Sequence, residues 1–359
     1  MIMFYVLIVV LVFVPSFGIP LKECSSFTNC EKCANGTDWL GGRCDWCTLG
    51  DSCESMVFNS CPMNKRVGLK YNCPRKLPSG VNYDEQFAKE KAFPLIAASN
   101  EDNRERMQKI LNCHFRKAEV GSLFHVPCDL LNTTSCFAYT VVLHSEKAIA
   151  VVFRGSKGPD QILQQAINLF LTKAMQPFHP TGGRVYDYYH QSFYRLWDSK
   201  IALDLTKYGN LLPEYDVWSF GHSLGGGLAS LAAATIVGNG IRPSSKVKMI
   251  SFGQPRIGDR SFAEGHDKLV PESFRIINGQ DPIPSFPSLE PIGSPFEGAY
   301  HHRFEVWYPS GMEPKSEYRI SHMAEDRSAF GGNIQFSPEQ HVFYFGQDLR
   351  NWANTTKTC

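Results

Sequence analysis

The pentapeptide Gly221-His222-Ser223-Leu224-Gly225 has the form G-x-S-x-G, and its residue types and spacing could do covalent chemistry. A serine hydroxyl is a weak nucleophile at neutral pH unless a neighbouring base takes its proton during attack. The run 215–220 (YDVWSF) before it reads as a buried strand, and the small-residue run 225–237 after it reads as a helix. A serine on a sharp strand-to-helix turn presents its hydroxyl for attack, and glycines at its flanks avoid Cβ collisions in a tight turn. Ser223 would then sit at a helix N-terminus, where the Leu224 N–H can stabilise a developing oxyanion. The competing reading is a glycine-rich packing seam with an incidental serine.

A base and an acid must follow the serine, in the chain order Ser, Asp or Glu, His. Asp281 comes just after the strand expected over 274–277, where a carboxylate can point into a site. Asp259 lies in the loop 253–259 and reads as a cap or turn former. The histidine candidates are His301, His302, His322 and His341, with His266 out of order. No cluster at metal-ligand spacing is visible around these residues, so no metal and no nucleotide cofactor is implied.

These side chains need a scaffold, and the chain of 359 residues is long enough for about two domains. Hydrophobic residues make up 43% and charged residues 20%, which excludes a disordered or multi-span membrane protein. With 36 basic against 35 acidic residues, no charge excess favours nucleic acid. Short apolar runs at 148–153, 215–220, 247–252 and 274–277 alternate with helical stretches, including 188–208 and 225–237. That alternation predicts an α/β fold with a mostly parallel central sheet covered on both faces.

Residues 4–14 form an apolar run of eleven before Pro15, short for a bilayer span and suited to a signal peptide over 1–18. The segment before it carries no Lys or Arg, which leaves a signal anchor as the alternative. Sequons at Asn35, Asn132 and Asn354 suit a secretory route and glycosylation, so the protein reads as secreted. Eight of the 12 cysteines fall between Cys24 and Cys73. The CxxC pairs there have zinc-compatible spacing, but an oxidising compartment favours four disulfides. A disulfide-rich module is therefore expected over 19–74, a linker over 75–82 and a hydrolase domain over 83–359. Cys128 and Cys136 would close a local loop around Asn132.

The cysteine cluster, with Phe27 and the CDWC segment at 44–47, resembles the plexin-semaphorin-integrin type of module, which implies a protein partner or spacer role. Residues 112–359 resemble the class 3 lipases, the fungal-type triacylglycerol lipases with an α/β-hydrolase fold. The matching segments are VVFRGS (151–156), GHSLGG (221–226), GQPRIGD (253–259), the stretch 281–287, EVWY (305–308) and HVFYFG (341–346). By that resemblance Asp281 is the acid, His341 the base, and Ser156 the second oxyanion donor beside Leu224. Gln340 departs from the Asp usual before the base, a change expected to loosen that loop. The resemblance also implies a terminal disulfide, Cys113–Cys359.

After Ser156, Leu163, Ile167 and Phe170 recur at helical spacing on a face opposed to Gln and Asn residues. At that position the resemblance implies a lid over the acyl groove. The function expected is a secreted triacylglycerol lipase acting on a lipid ester at a lipid–water interface. The alternatives are a phospholipase or other carboxylesterase on the same fold, and a non-catalytic binding or adhesion protein.

Overall fold

The computed structural model describes residues 23–128, 135–156, 174–289, 298–332 and 337–356. The lid residues Leu163, Ile167 and Phe170, the signal segment, Asn132 and Cys359 lie outside the described residues. The chain divides into two compact units, one ending at Lys70 and one beginning at Tyr71.

The first unit is built on three short strands, β1 (Cys44–Cys47), β2 (Ser52–Ser55) and β3 (Arg66–Val67), in the order β2-β1-β3. Disulfides Cys24–Cys44, Cys33–Cys53 and Cys47–Cys61 cross it, and Cys30 is disulfide-bonded as well, as are Cys73 and Cys113 of the second unit. So small a unit buries little apolar surface, and covalent links take over much of the work of a core. Asn35 is exposed here, as Asn354 is at the other end of the chain.

In the second unit eight strands form one sheet: β4 (Ala118–Pro127), β5 (Ser135–Leu143), β6 (Ala148–Phe153), β9 (Asp216–His222), β10 (Val247–Phe252), β11 (Ser273–Asn278), β12 (Glu305–Tyr308) and β13 (Arg319–Ser321). Between β6 and β9, β7 (Met175–Phe178) and β8 (Gly183–Tyr186) pair as a separate hairpin. The sheet order is β13-β12-β11-β10-β9-β6-β5-β4. Strands β6, β9, β10, β11 and β12 run parallel, while β4, β5 and β13 add antiparallel edges. Cys128 and Cys136 are joined beside the β4–β5 pair.

Alternation along each strand divides the apolar side chains between two cores. On β6, Ile149, Val151 and Phe153 join one, and Ala148, Ala150 and Val152 join the other. The helices Asp187–Leu196 and Leu224–Gly238 contribute to the first core; Phe93–Ala98 and Arg104–His114 contribute to the second. The long helix expected over 188–208 is interrupted: Ser199 and Lys200 leave helical geometry, Lys200 with φ of 95°. Residues expected to act as a linker pack with this unit, since Arg75 N–H donates to His322 O and Leu77 and Val81 pack against the second core.

Candidate active site

The GxSxG segment forms a sharp corner between β9 and the helix Leu224–Gly238. Ser223 has φ 55° and ψ −125°, a region that costs an L-residue energy and persists only where the surroundings enforce it. The flanking glycines permit the corner. A Cβ on Gly221 would lie 2.1 Å from Gly225 O, and one on Gly225 would lie 2.2 Å from Phe153 O. The Ser223 N–H donates to Phe252 O on β10, which fixes the corner to the adjacent parallel strand. Leu224 is the first residue of the helix, where N–H groups have no acceptor within the helix itself.

Ser156 lies just past the end of β6 and is half-buried. Its neighbour Gly155 abuts the corner so closely that a Cβ there would meet His222 Nδ1 at 2.8 Å and Ser223 Cβ at 3.2 Å. The backbone after β6 therefore converges on the serine from the adjacent strand.

Asp281 is fully buried at the end of the loop after β11. Its Oδ1 accepts the Ile283 N–H at 2.9 Å, and its Oδ2 lies 2.8 Å from His341 Nδ1. The Tyr344 hydroxyl reaches the same Oδ2 at 3.5 Å. Burial and the neighbouring Asp281 carboxylate push the Tyr344 phenol well above its ordinary pKa, so it stays protonated as a donor. With Nδ1–H donated to the carboxylate, His341 Nε2 carries the free lone pair. That nitrogen is buried and has no hydrogen-bond partner among the described residues. An unpaired buried polar atom costs on the order of 1–3 kcal/mol, and a nitrogen so placed could take up a proton from a neighbouring hydroxyl. Gly253 makes room for the pair, because a Cβ there would lie 2.6 Å from Asp281 Oδ2 and 2.7 Å from His341 Nδ1.

The other histidines are held elsewhere. His301 Nε2 donates to Pro284 O, His302 is bonded to Gln254 and the Arg303 carbonyl, and His322 Nδ1 donates to Arg75 O. His266 is buried and stacks on His302 at 3.8 Å between ring centroids. His266, Asp267 and His302 bring ligand atoms within 4.8 Å of one another, a grouping that spacing in sequence does not reveal. The Asp267 carboxylate is occupied by the N–H and guanidinium of Arg303, and the two imidazoles face each other rather than a common point. Asp259 caps the helix Arg260–Leu269 by accepting the Phe262 N–H at 2.7 Å.

Gln340 does not loosen the loop that carries His341. Its Oε1 accepts the Gln280 N–H at 2.7 Å, and its amide packs into the space left by Gly279. Asn278 Nδ2 donates to Gln340 O and Phe343 O, tying the loop to the end of β11. A neutral amide performs the tethering expected of a carboxylate, because the partner is a backbone donor rather than a cation. Two residues that sequence reasoning did not single out also matter. His222 contacts the His341 backbone, and Arg256 pairs with buried Glu325 at 2.9 and 2.7 Å while donating to Ser285 O and Pro287 O after Asp281.

The family description "Lipase (class 3)" matches residues 150–290, which include the serine corner and Asp281. A lipase of Caenorhabditis elegans is 36% identical over 258 residues, spanning 65% of this chain and 71% of the relative. Secreted mono- and diacylglycerol lipase 1 of Fusarium solani is 28% identical over 165 residues, 44% of this chain and 46% of its own. Among solved structures, the lipase of Rhizopus microsporus var. chinensis superposes with a TM-score of 0.62 at 19% identity, over 77% of this chain and 93% of that one. The Rhizomucor miehei triacylglyceride lipase gives 0.60 at 22% identity, over 75% and 97%. The fold is thus the lipase-type α/β-hydrolase, and the chain belongs to the class 3 lipase family.

Proposed function

We propose that this class 3 lipase is a secreted hydrolase of lipid esters, with triacylglycerol as its substrate, and that Ser223, His341 and Asp281 carry the reaction. The observation that carries the reading is the 2.8 Å contact between Asp281 and His341 Nδ1, which leaves a buried, unpartnered Nε2 as the base. His341 would take the Ser223 proton as Oγ attacks the ester carbonyl, then return it to the departing alkoxide. Asp281 holds the tautomer and stabilises the imidazolium. The tetrahedral oxyanion would be met by the Leu224 N–H and by Ser156, whose backbone approaches the serine from β6. Water then repeats the sequence on the acyl-enzyme.

Triacylglycerol is favoured over phospholipid by resemblance to the fungal lipases. Secretion is supported by the disulfides, the exposed Asn35 and Asn354 sequons, and relatives described as secreted. No helix among the described residues is long and apolar enough to cross a membrane. Fluorophosphonate labelling of wild type and Ser223→Ala, with emulsified triacylglycerol, phospholipid and short soluble esters as substrates, tests the reading. Labelling and all ester turnover should vanish in the variant. Turnover above a tenth of wild type would remove Ser223 from the mechanism, and faster phospholipid hydrolysis would move the substrate to the alternative.

A further inference from the structure

Large apolar side chains stand exposed at ten described positions, and seven of these belong to the small first unit. A unit this size cannot bury everything, so scattered exposure would mean nothing. Five of the seven are not scattered. Trp39 and Leu40 occupy the turn that precedes β1, while Met56, Val57 and Phe58 follow β2, with exposures from 49% to 82%. Antiparallel pairing sets Cys44 opposite Ser55, so both segments emerge from the same end of the sheet. Leu49 lies in the turn at the opposite end, and Met63 precedes β3 near that end, where Thr48 N–H donates to Lys65 O.

The two segments are held together and held still. Asp38 Oδ1 accepts the N–H groups of Leu40 and Gly42 at 3.0 and 2.7 Å, and its Oδ2 accepts the Ser55 hydroxyl at 3.2 Å. Met56 N–H donates to Arg43 O, and Ser60 N–H to Glu54 Oε2. Disulfides Cys24–Cys44, Cys33–Cys53 and Cys47–Cys61 anchor the adjoining strands. Residues 39–42 (WLGG) and 55–60 (SMVFNS) contain no charged side chain; of the charged residues that flank the turn, Asp38 spends its carboxylate inside it, and Arg43 is exposed with its guanidinium donating to Gly68 O.

We propose that this uncharged tip, Trp39, Leu40, Met56, Val57 and Phe58, is a docking surface for a neutral lipid surface. The proposal rests on the reading of the chain as a lipid-ester hydrolase, whose substrate lies in such a surface. An indole beside aliphatic and phenyl groups suits the boundary between headgroups and acyl chains. The five apolar side chains carry no charge, and the single cation at their base, Arg43, donates to Gly68 O, which matches an uncharged triacylglycerol or zwitterionic surface, since attraction to anionic lipid requires clustered Lys and Arg. Because the loops are already ordered, insertion orders little further backbone. A protein partner, the role implied by resemblance to plexin-type modules, is the competing class. The polar groups of the two segments, Ser55, Asn59 and Ser60, are engaged in local hydrogen bonds, which leaves five contiguous apolar side chains to meet the partner and favours lipid.

The test uses the full-length protein carrying Ser223→Ala, so that the lipid is not consumed, and measures flotation with phosphatidylcholine-coated triolein emulsion. Adding Trp39→Ser, Leu40→Ser and Phe58→Ser should weaken binding at least tenfold, whereas Leu49→Ser with Met63→Ser should leave it unchanged. Binding should vary little between 50 mM and 500 mM salt and should not require anionic lipid. The three-residue variant with Ser223 intact should hydrolyse a short soluble ester at the wild-type rate, which reports a folded enzyme. Equal flotation of the three-residue variant and its parent would overturn the proposal, as would binding that depends on anionic lipid. An equal loss in the Leu49/Met63 variant would overturn the assignment to this end of the unit. If the wild-type protein hydrolyses no ester at all, the catalytic reading fails instead, and flotation still decides the docking surface.

Discussion

The imidazole of His222, the residue before the serine, donates its Nε2–H to the backbone carbonyl of His341 at 2.7 Å, and the two rings lie 4.6 Å apart. Burial, reinforced by the His341 imidazole, holds His222 far below its ordinary pKa, so it stays neutral with its proton on the donating nitrogen. One hydrogen bond therefore couples the corner that bears Ser223 to the loop that bears His341. Those two segments are 119 residues apart in sequence. The second residue of G-x-S-x-G here acts as a clamp on the position of the proposed base.

Removing that clamp should show in turnover rather than in binding. His222→Ala should lower kcat by up to about 10²-fold, as expected when a reacting group is displaced by about 1 Å, with KM nearly unchanged. Fluorophosphonate labelling should slow by the same factor. A fall in KM-dependent binding with kcat preserved would contradict the coupling.

Substitution of the base and of its nearest competitor should rank clearly. His341→Ala should abolish turnover, by about 10⁴-fold or more, because no other histidine among the described residues reaches Asp281. His301→Ala should act through stability alone, since its ring is bonded to Pro284 O. Initial rates at saturating soluble ester, with thermal unfolding of each variant, distinguish these outcomes.

The buried pair Arg256–Glu325 supports the loop that carries Asp281, the proposed acid. Breaking it by Glu325→Ala leaves a buried guanidinium uncompensated, and a loss of about 3–5 kcal/mol is expected. Arg256 also donates to Ser285 O and Pro287 O, so the surviving fold should show reduced kcat through displaced Asp281. Denaturant titration and steady-state kinetics read the two effects separately.

Stability should also fall as the medium is acidified. His222, His301 and His302 are held well below their ordinary range by burial, and His266 is pushed down to about 3. Below about pH 6.5 the unfolded chain binds protons that the folded chain refuses, so stability rises with pH up to that point. Each histidine contributes about 1.4 kcal/mol per pH unit while this holds. Glu305, raised to about 7 by burial, acts in the opposite sense, retaining a proton above about pH 4.3 that the unfolded chain has lost. Asp267, also raised by burial, acts in the same sense as Glu305; four histidines outweigh these two carboxyls, and denaturant midpoints should increase between pH 4.5 and 6.5. His266→Phe should flatten that slope by about one proton, and a flat profile would show these rings are charged when folded.

The sequence by itself determined the corner at Ser223, because a G-x-S-x-G turn between an apolar, aromatic-rich strand and a small-residue helix is a local event. It also determined the buried parallel strands at 148–153 and 247–252, whose apolar runs match β6 and β10 residue for residue. The antiparallel edges were less legible, since β4 alternates apolar and polar residues and carries a bulge between Val120 and Leu123. The interruption at Ser199 and Lys200 was hidden within a sequence of helical periodicity. Residue chemistry left five histidines open and the family resemblance pointed to His341; the tertiary structure brings that one to Asp281, because where the chain returns is set by long-range packing. It decided that Gln340 tightens its loop, through a backbone N–H that no side-chain pattern announces. It also decided that Trp39 and Phe58 share one exposed end, since strand pairing, not sequence proximity, brings their loops together. Local periodicity encodes elements, but long-range pairing and burial settle which polar atoms find partners, and which are left open for chemistry.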